Sequence, residues 1–274
     1  MDNILSFDIE EYFQVSGLER AVGRQNWSNF PPRVYKSTQV ILEILARRNT
    51  KATFFFLGCV ADSNRPLVKE VAAAGHEIAC HGWDHRLLYL MSDREFKVDV
   101  ENTKKLLEDI SGKAVVGYRA PSFSLNADDA AKFEILASLG FKYDSSLFPM
   151  KHFRYGKAEA VPRAPFDVVL KNSAVIREYP MTVVNFLGRA IPAGGGGYLR
   201  FYPGFLIKRN FRKVNAEGRP VIIYLHPWEF DPEQPRIKGA GFGNTFRHYF
   251  NLKSTAGKLE MILDNFACGP FAAI

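Results

Sequence analysis

A chain of 274 residues, 47% hydrophobic and 24% charged, lies near the top of the size range that one core can organise and is too apolar to be mainly disordered. No run reaches the roughly 18 apolar residues that cross a bilayer, and the opening MDNILSFDIEEYF carries acids where an export signal would carry basic residues before an apolar stretch, so a cytoplasmic protein is expected. The formal charge of +7 invites an anionic partner, but the basic residues are scattered and no aromatic-interleaved or recognition-helix motif accompanies them, which sets nucleic acid aside.

Short β-rich runs alternate with amphipathic helical runs. Ile4 to Phe7 reads as a strand, Val34 to Arg48 as a helix with Val40, Ile41, Ile44 and Leu45 on one face, and Ala52 to Leu57 as a second strand. Pro66 to Ala74 reads as a helix stopped by Gly75, and His76 to Cys80 as a strand. Ser92 with Glu95 forms a capping box that opens a helix to about Ile110. Val115 to Tyr118 and Phe141 to Tyr143 are strands on either side of a helix capped by Asn126 and ending at Leu139. From about 151 to 200 the pattern loosens into an irregular insertion, with short strands around Val168 and Ile176 and a flexible loop at Gly194 to Gly197. Phe205 to Asn215 then reads as a helix, Pro220 to Leu225 as a buried strand and Lys253 to Asn265 as a last helix. Such alternation predicts an α/β fold with a parallel sheet, open or closed into a barrel. Cys59, Cys80 and Cys268 are odd in number and widely spaced, which fits three reduced thiols rather than a disulfide framework.

Parallel α/β folds gather ligands at the carboxyl ends of their strands. Those ends carry Asp8-Ile9-Glu10-Glu11, His81-Gly82-Trp83-Asp84-His85, Arg119 to Phe123, Asp144-Ser145-Ser146 and Leu225 to Glu229. His81 and His85 are spaced so that one turn or a tight loop aims both imidazoles at one cation. An acid from the first strand would complete two imidazoles and one carboxylate, leaving positions open for water and substrate. Asp8 and Glu10 share a strand face, so one can bind metal while the other acts as base, and Glu11 should point elsewhere. Arg119 is positioned to hold a carboxylate by two parallel hydrogen bonds. His226 suits a general acid, given a carboxylate that keeps it protonated. Asp144 is a candidate partner for an imidazole or a substrate hydroxyl, with an Asx-turn as the competing role. Trp83, Trp228, Tyr198 and Phe123 are candidate sugar-stacking rings, with core packing as the alternative.

The set SFDIEEYF, HGWDH, RAPSF, YDSS and YLHPWEF, in this order, resembles the polysaccharide deacetylases of carbohydrate esterase family four, the NodB-homology family. The opening SFDIEEYFQV and the tail after His226 look most like the branch from exopolysaccharide loci associated with exosortase-type sorting. The resemblance covers residues 4 to about 230 and implies a distorted (β/α) barrel of about seven strands, forming a single domain over 1–274 with a branch-specific extension after about 230. It implies hydrolysis of N-acetyl groups on hexosamine units of a polysaccharide or its lipid-linked precursor. Residue by residue, Asp8 matches the base, His81 and His85 the metal-binding histidines, Arg119 the arginine that orients the base, and His226 the general acid. Many relatives have two adjacent aspartates at the first strand end; here the D-x-acid spacing makes Glu10 the match for the metal-binding acid.

A divalent metal is implied, with zinc foremost and cobalt, nickel or manganese as alternatives. The expected partner is an N-acetylated oligo- or polysaccharide, with peripheral contact to the inner membrane face through Lys208, Arg209, Arg212 and Lys213 as a further option. The tetrahedral oxyanion is expected to meet the metal and a backbone N–H near the Arg119-to-Phe123 turn. The competing readings are an amidohydrolase of small cyclic amides or imides on the same scaffold, working without metal, and a carbohydrate-binding protein that has lost activity.

Overall fold

The computed structural model describes residues 2–152, 155–158 and 160–271. Every position of β1 (Asn3–Ile9) is buried, as a central strand covered on both faces requires. Next come α1 (Glu19–Val22), α2 (Val34–Arg47), β2 (Thr53–Phe56), α3 (Gly58–Ser63), α4 (Arg65–Ala73) and β3 (Glu77–Cys80). Helix α5 (Asp93–Ser111) opens on the expected capping box, the Glu95 N–H donating to Ser92 Oγ and the Ser92 N–H to Glu95 Oε2, and closes at Gly112 with φ 66°. After β4 (Gly117–Tyr118), α6 (Ala130–Ser138) starts later than expected. Asp129 rather than Asn126 caps it, accepting from the Lys132 N–H, while Asn126 Oδ1 accepts from the Lys157 N–H and pins a neighbouring loop.

β5 (Tyr143–Asp144) leads into two hairpins, β6 (Phe166–Val169) with β7 (Val175–Glu178), and β8 (Val183–Phe186) with β9 (Arg189–Pro192). The chain finishes with α7 (Gly196–Phe201), α8 (Gly204–Ala216), β10 (Ile222–Leu225), α9 (Phe242–Tyr249), α10 (Thr255–Asn265) and β11 (Cys268–Gly269). The main sheet runs β10-β1-β2-β3-β4-β5-β7-β6. Along this path the seven strands from β10 to β7 are parallel and β6 is antiparallel, in keeping with the distorted barrel of about seven strands that the resemblance implied. β11 fills the edge of β1 ahead of β2.

β7 and β10 do not pair, so the barrel is closed by irregular chain. The Met181 N–H donates to the Leu147 carbonyl on one side; on the other, the Ile222 N–H reaches Thr182 Oγ1 and the Tyr224 N–H reaches the Gly194 carbonyl. This closure explains the glycine run, which is a close backbone approach rather than the flexible loop expected. A Cβ on Gly194 would stand 2.1 Å from the Ile222 carbonyl oxygen, and one on Gly195 2.1 Å from that of Tyr224. Among the described residues, no helix is long and apolar enough to cross a membrane.

Replacing Gly195 by alanine drives its methyl group into β10 and should lower stability by about 1–3 kcal/mol. Urea unfolding tests this, and an unchanged midpoint would show that the strand can move aside.

Candidate active site

The carboxyl ends of β1, β3, β4 and β10 converge on a cleft of about 510 Å³ whose lining includes Asp8, Glu10, His81, His85, Ser122, Phe123, Tyr198, Tyr224, His226 and Trp228. Asp8 is the penultimate residue of β1 and Glu10 follows its end, so alternation places both on the cleft side. Glu11 faces away. Its carboxylate accepts from the Arg33 and Val34 N–H groups at the start of α2, and burial lifts it to about 7 against those bonds.

Glu10, His81 and His85 form a buried group whose ligand atoms lie within 4.8 Å of one another. His81 sits just past β3, and burial lowers it to about 4, so it is neutral near pH 7. Its Nδ1 lies 2.7 Å from the Arg119 carbonyl, which can only accept, so Nδ1 carries the proton and the Nε2 lone pair is left for a cation. His85 adopts φ 61° in a loop that turns at Gly82. The loop is held by N–H groups at the start of α3, Gly58 donating to the Gly82 carbonyl and Cys59 to that of Trp83, and by Arg24, which donates to the His85 carbonyl.

Glu10 Oε1 accepts from the Trp228 indole at 3.1 Å, fixing the carboxylate. Oε2 lies 2.8 Å from His85 Nε2 without an aligned hydrogen bond. A buried carboxylate with two imidazole nitrogens close to it is a donor set for a divalent cation, and the carboxylate is ionised for that task. Burial would raise Glu10, but the His85, His226 and His81 imidazoles outweigh it and hold it at about 2. The residues present therefore fit the metal that the sequence implied.

Asp8 is held by Arg119, whose side chain has no exposed surface. The expected parallel fork does not form. Arg119 Nη1 donates to Asp8 Oδ1 at 2.7 Å and to Ser6 Oγ, while Nε and Nη2 turn to the Ser145 carbonyl and hydroxyl. Asp8 Oδ2 is left on the cleft side, 3.9 Å from His226 Nε2.

His226 follows the end of β10 and is pushed up to about 9. Burial opposes the charge, but the hydrogen bond to Glu229 and the Glu10 and Asp8 carboxylates prevail. Its Nδ1 donates to Glu229 Oε1 at 2.8 Å, leaving Nε2–H toward the cleft. The raised value sets the sign of the linkage: this charge stabilises the fold fully below the unfolded value of about 6.5 and ceases to do so as pH climbs through about 9.

Glu229 is itself fully buried and receives Arg200 Nε at 2.6 Å. Arg200 also donates to the Arg247, His248 and Phe250 carbonyls at the end of α9, where the helix dipole favours a cation. Sequence reasoning missed Glu229 and Arg200. Glu229 had a signal, since the HPWE turn brings a residue three positions on back to its imidazole; Arg200 had none, because only the fold brings α7 beneath β10.

Three expected site residues take other places. Asp144 forms the Asx-turn, accepting from the Ser146 N–H and hydroxyl, and does not reach the cleft. Trp83 lies outside the cleft, its indole packed over Gly58, where a Cβ would meet it at 2.4 Å. Trp228 lines the cleft, but His226 and His248 stack on it, with centroids 5.1 and 4.2 Å away, so its role is to hold Glu10 rather than a sugar. Tyr198 and Phe123 do line the cleft. Phe123 is packed edge-on by Phe148, Tyr155 and Tyr224, and its N–H is taken by the Ala120 carbonyl. The neighbouring Ser122 lines the cleft in a left-handed conformation, φ 50°.

Comparison with known proteins matches residues 29–143 to the polysaccharide deacetylase model and residues 145–274 to a domain of unknown function, DUF3473. A peptidoglycan-N-acetylglucosamine deacetylase of Listeria monocytogenes is 36% identical over 89 residues, 32% of this chain and 19% of that protein. A peptidoglycan deacetylase of Helicobacter pylori is 30% identical over 107 residues, 39% of this chain and 36% of that protein. The chain thus spans less than two-fifths of the length of these relatives. A crystal structure of a candidate polysaccharide deacetylase from Mycobacterium smegmatis superposes with a TM-score of 0.61 at 18% identity, covering 97% of this chain and 86% of that one, which shows a shared fold. Residues 29–143 match the polysaccharide deacetylase family, and the order of the motifs and the shared fold make the chain similar to that family.

Proposed function

We propose that this chain is a metal-dependent N-deacetylase of hexosamine units in a polysaccharide or its lipid-linked precursor, working in the cytoplasm. The observation that carries this reading is the opposition of Asp8 and a protonated His226 across the Glu10, His81 and His85 group, with His226 Nε2 3.9 Å from Asp8 Oδ2 and 3.7 Å from Glu10 Oε1. Binding alone has no use for a free carboxylate oxygen and a charged imidazole around one point. A divalent ion, zinc foremost, would be held by Glu10, His81 and His85 and would supply Lewis acidity toward the amide carbonyl and the attacking water.

The remaining chemistry belongs to side chains. Asp8 Oδ2 takes a proton from water as the new C–O bond forms, and Arg119 keeps the carboxylate aimed. His226 Nε2 gives its proton to the departing amine as the C–N bond breaks, so acetate and a free sugar amine leave. Glu229 and Arg200 hold the imidazole in register for that transfer. Tyr198 and Phe201 beside the acid leave an open, aromatic-walled cleft, which suits a sugar chain better than a small cyclic imide. The unit that performs this is the whole described chain, since base and acid come from opposite sides of the 143/145 boundary between the two matched regions.

Acetate release from N-acetylglucosamine oligomers should be abolished by a chelator and restored by metal; chelator-insensitive opening of a cyclic imide, with no release from the sugar, would instead select the amidohydrolase. Asp8→Asn should cut turnover roughly a hundred- to ten-thousand-fold with metal content unchanged, and near-normal turnover would remove Asp8 from the role of base. His81→Ala with His85→Ala should empty the site by elemental analysis of folded protein. Glu229→Gln removes the carboxylate charge that helps keep His226 protonated up to about 9, so the alkaline limb of the activity profile should move toward acid; a limb that stays in place would show that another group sets it.

A further inference from the structure

Helix α8 buries Ile207, Phe211 and Val214 and turns a different face outward. That face carries Phe205, which is 71% exposed, followed by Arg209, Arg212 and Lys213, and the helix contains no Asp or Glu. Among the described residues, none of Lys208, Arg209, Arg212 and Lys213 has a carboxylate partner.

Beside this face stands the tip of the β8–β9 hairpin. Lys213 Nζ donates to the Asn185 carbonyl at 3.3 Å, tying helix to hairpin. The turn that follows lifts Phe186 and Leu187 to 60% and 88% exposure, with Leu187 at φ 49° and Gly188 at φ 80°. Two large apolar side chains at a tight turn, next to a row of uncompensated cations, have the two components of a peripheral membrane footprint: wedges that enter the acyl boundary and charges that meet anionic headgroups.

The footprint adjoins the cleft. Phe201 of α7 lines the cleft mouth and Phe205 follows four residues later on α8. Tyr202, between the two helices, donates its hydroxyl to the Pro192 carbonyl at the end of β9. Hairpin, α7 and α8 therefore form one tied unit at the edge of the cleft.

We propose that the β8–β9 tip and the exposed face of α8 dock this protein on an anionic lipid surface, with the cleft mouth beside the bilayer. The idea deepens the reading of a lipid-linked substrate, but docking involves neither Asp8 nor the metal-binding group and is tested without turnover.

The test is co-sedimentation of the full chain with vesicles of phosphatidylglycerol and phosphatidylcholine in equal parts, against vesicles of phosphatidylcholine alone. Binding should be confined to the anionic vesicles and should weaken as salt rises. Arg209→Gln with Arg212→Gln should weaken it roughly twenty-five-fold, about fivefold per charge. Phe186→Ser with Leu187→Ser should weaken it roughly tenfold or more. These positions are exposed, so both variants should keep the wild-type circular dichroism and the wild-type activity on a water-soluble oligosaccharide. Asp8→Asn should bind vesicles as the wild type does, which separates failure of docking from failure of the deacetylase reading. No binding to anionic vesicles, or equal binding to neutral ones, overturns the proposal. Self-association that Phe186→Ser with Leu187→Ser abolishes, without vesicle binding, would overturn it in favour of an interface between copies of this chain.

Discussion

A guanidinium sealed from solvent is costly unless its donors are met by oriented acceptors, and Arg119 is sealed completely. Its nitrogens are spent on Ser6 and Asp8 of β1 and on the Ser145 carbonyl and hydroxyl just beyond β5, and its Cζ lies 4.1 Å from the centre of the Phe55 ring of β2. One side chain from the end of β4 thus fixes the relative placement of four strands at the rim where the site is built. The same residue's carbonyl sets the tautomer of His81. Asp8, His81 and the strand ends are coupled through a single buried charge, so Asp8 is held without a fork of two bonds.

A second buried cation does the corresponding task on the His226 side. Arg200 neutralises Glu229, Glu229 holds the charge on His226, and the remaining guanidinium donors cap the carbonyl end of α9, which brings the C-terminal region over the cleft. The two systems come from different parts of the chain, Asp8, His81 and Arg119 from the first half and Arg200, His226 and Glu229 from the second. They meet because β1 lies between β10 and β2, with the end of the chain added at its edge. The boundary between the two matched regions falls just after β5, inside a continuous sheet rather than between separate bodies.

The rim residues were legible because strand ends obey simple rules. Alternation placed Asp8 and Glu10 together and turned Glu11 away, where it caps α2. The HGWDH spacing announced paired imidazoles. The aromatic assignments fared less well, because which face of a ring is covered depends on partners far away in sequence: Gly58 lies under Trp83, and His248 stacks on Trp228. Asp144 followed its local Asx chemistry instead of joining the site, and the glycine run turned from a loop into a close contact once β10 was in place.

Local chemistry written in the sequence thus determined the order of strands and helices, the capping of α5 and which rim residues, Asp8, Glu10, His81, His85 and His226, face one cleft, since each depends on side-chain alternation, capping bonds or short spacings. Only the tertiary structure decided how the barrel closes, which ring faces remain free and which distant arginine pairs with the carboxylate that holds His226. Those outcomes depend on contacts between segments widely separated in sequence, such as α7 with the turn after β10, whose register no local pattern encodes.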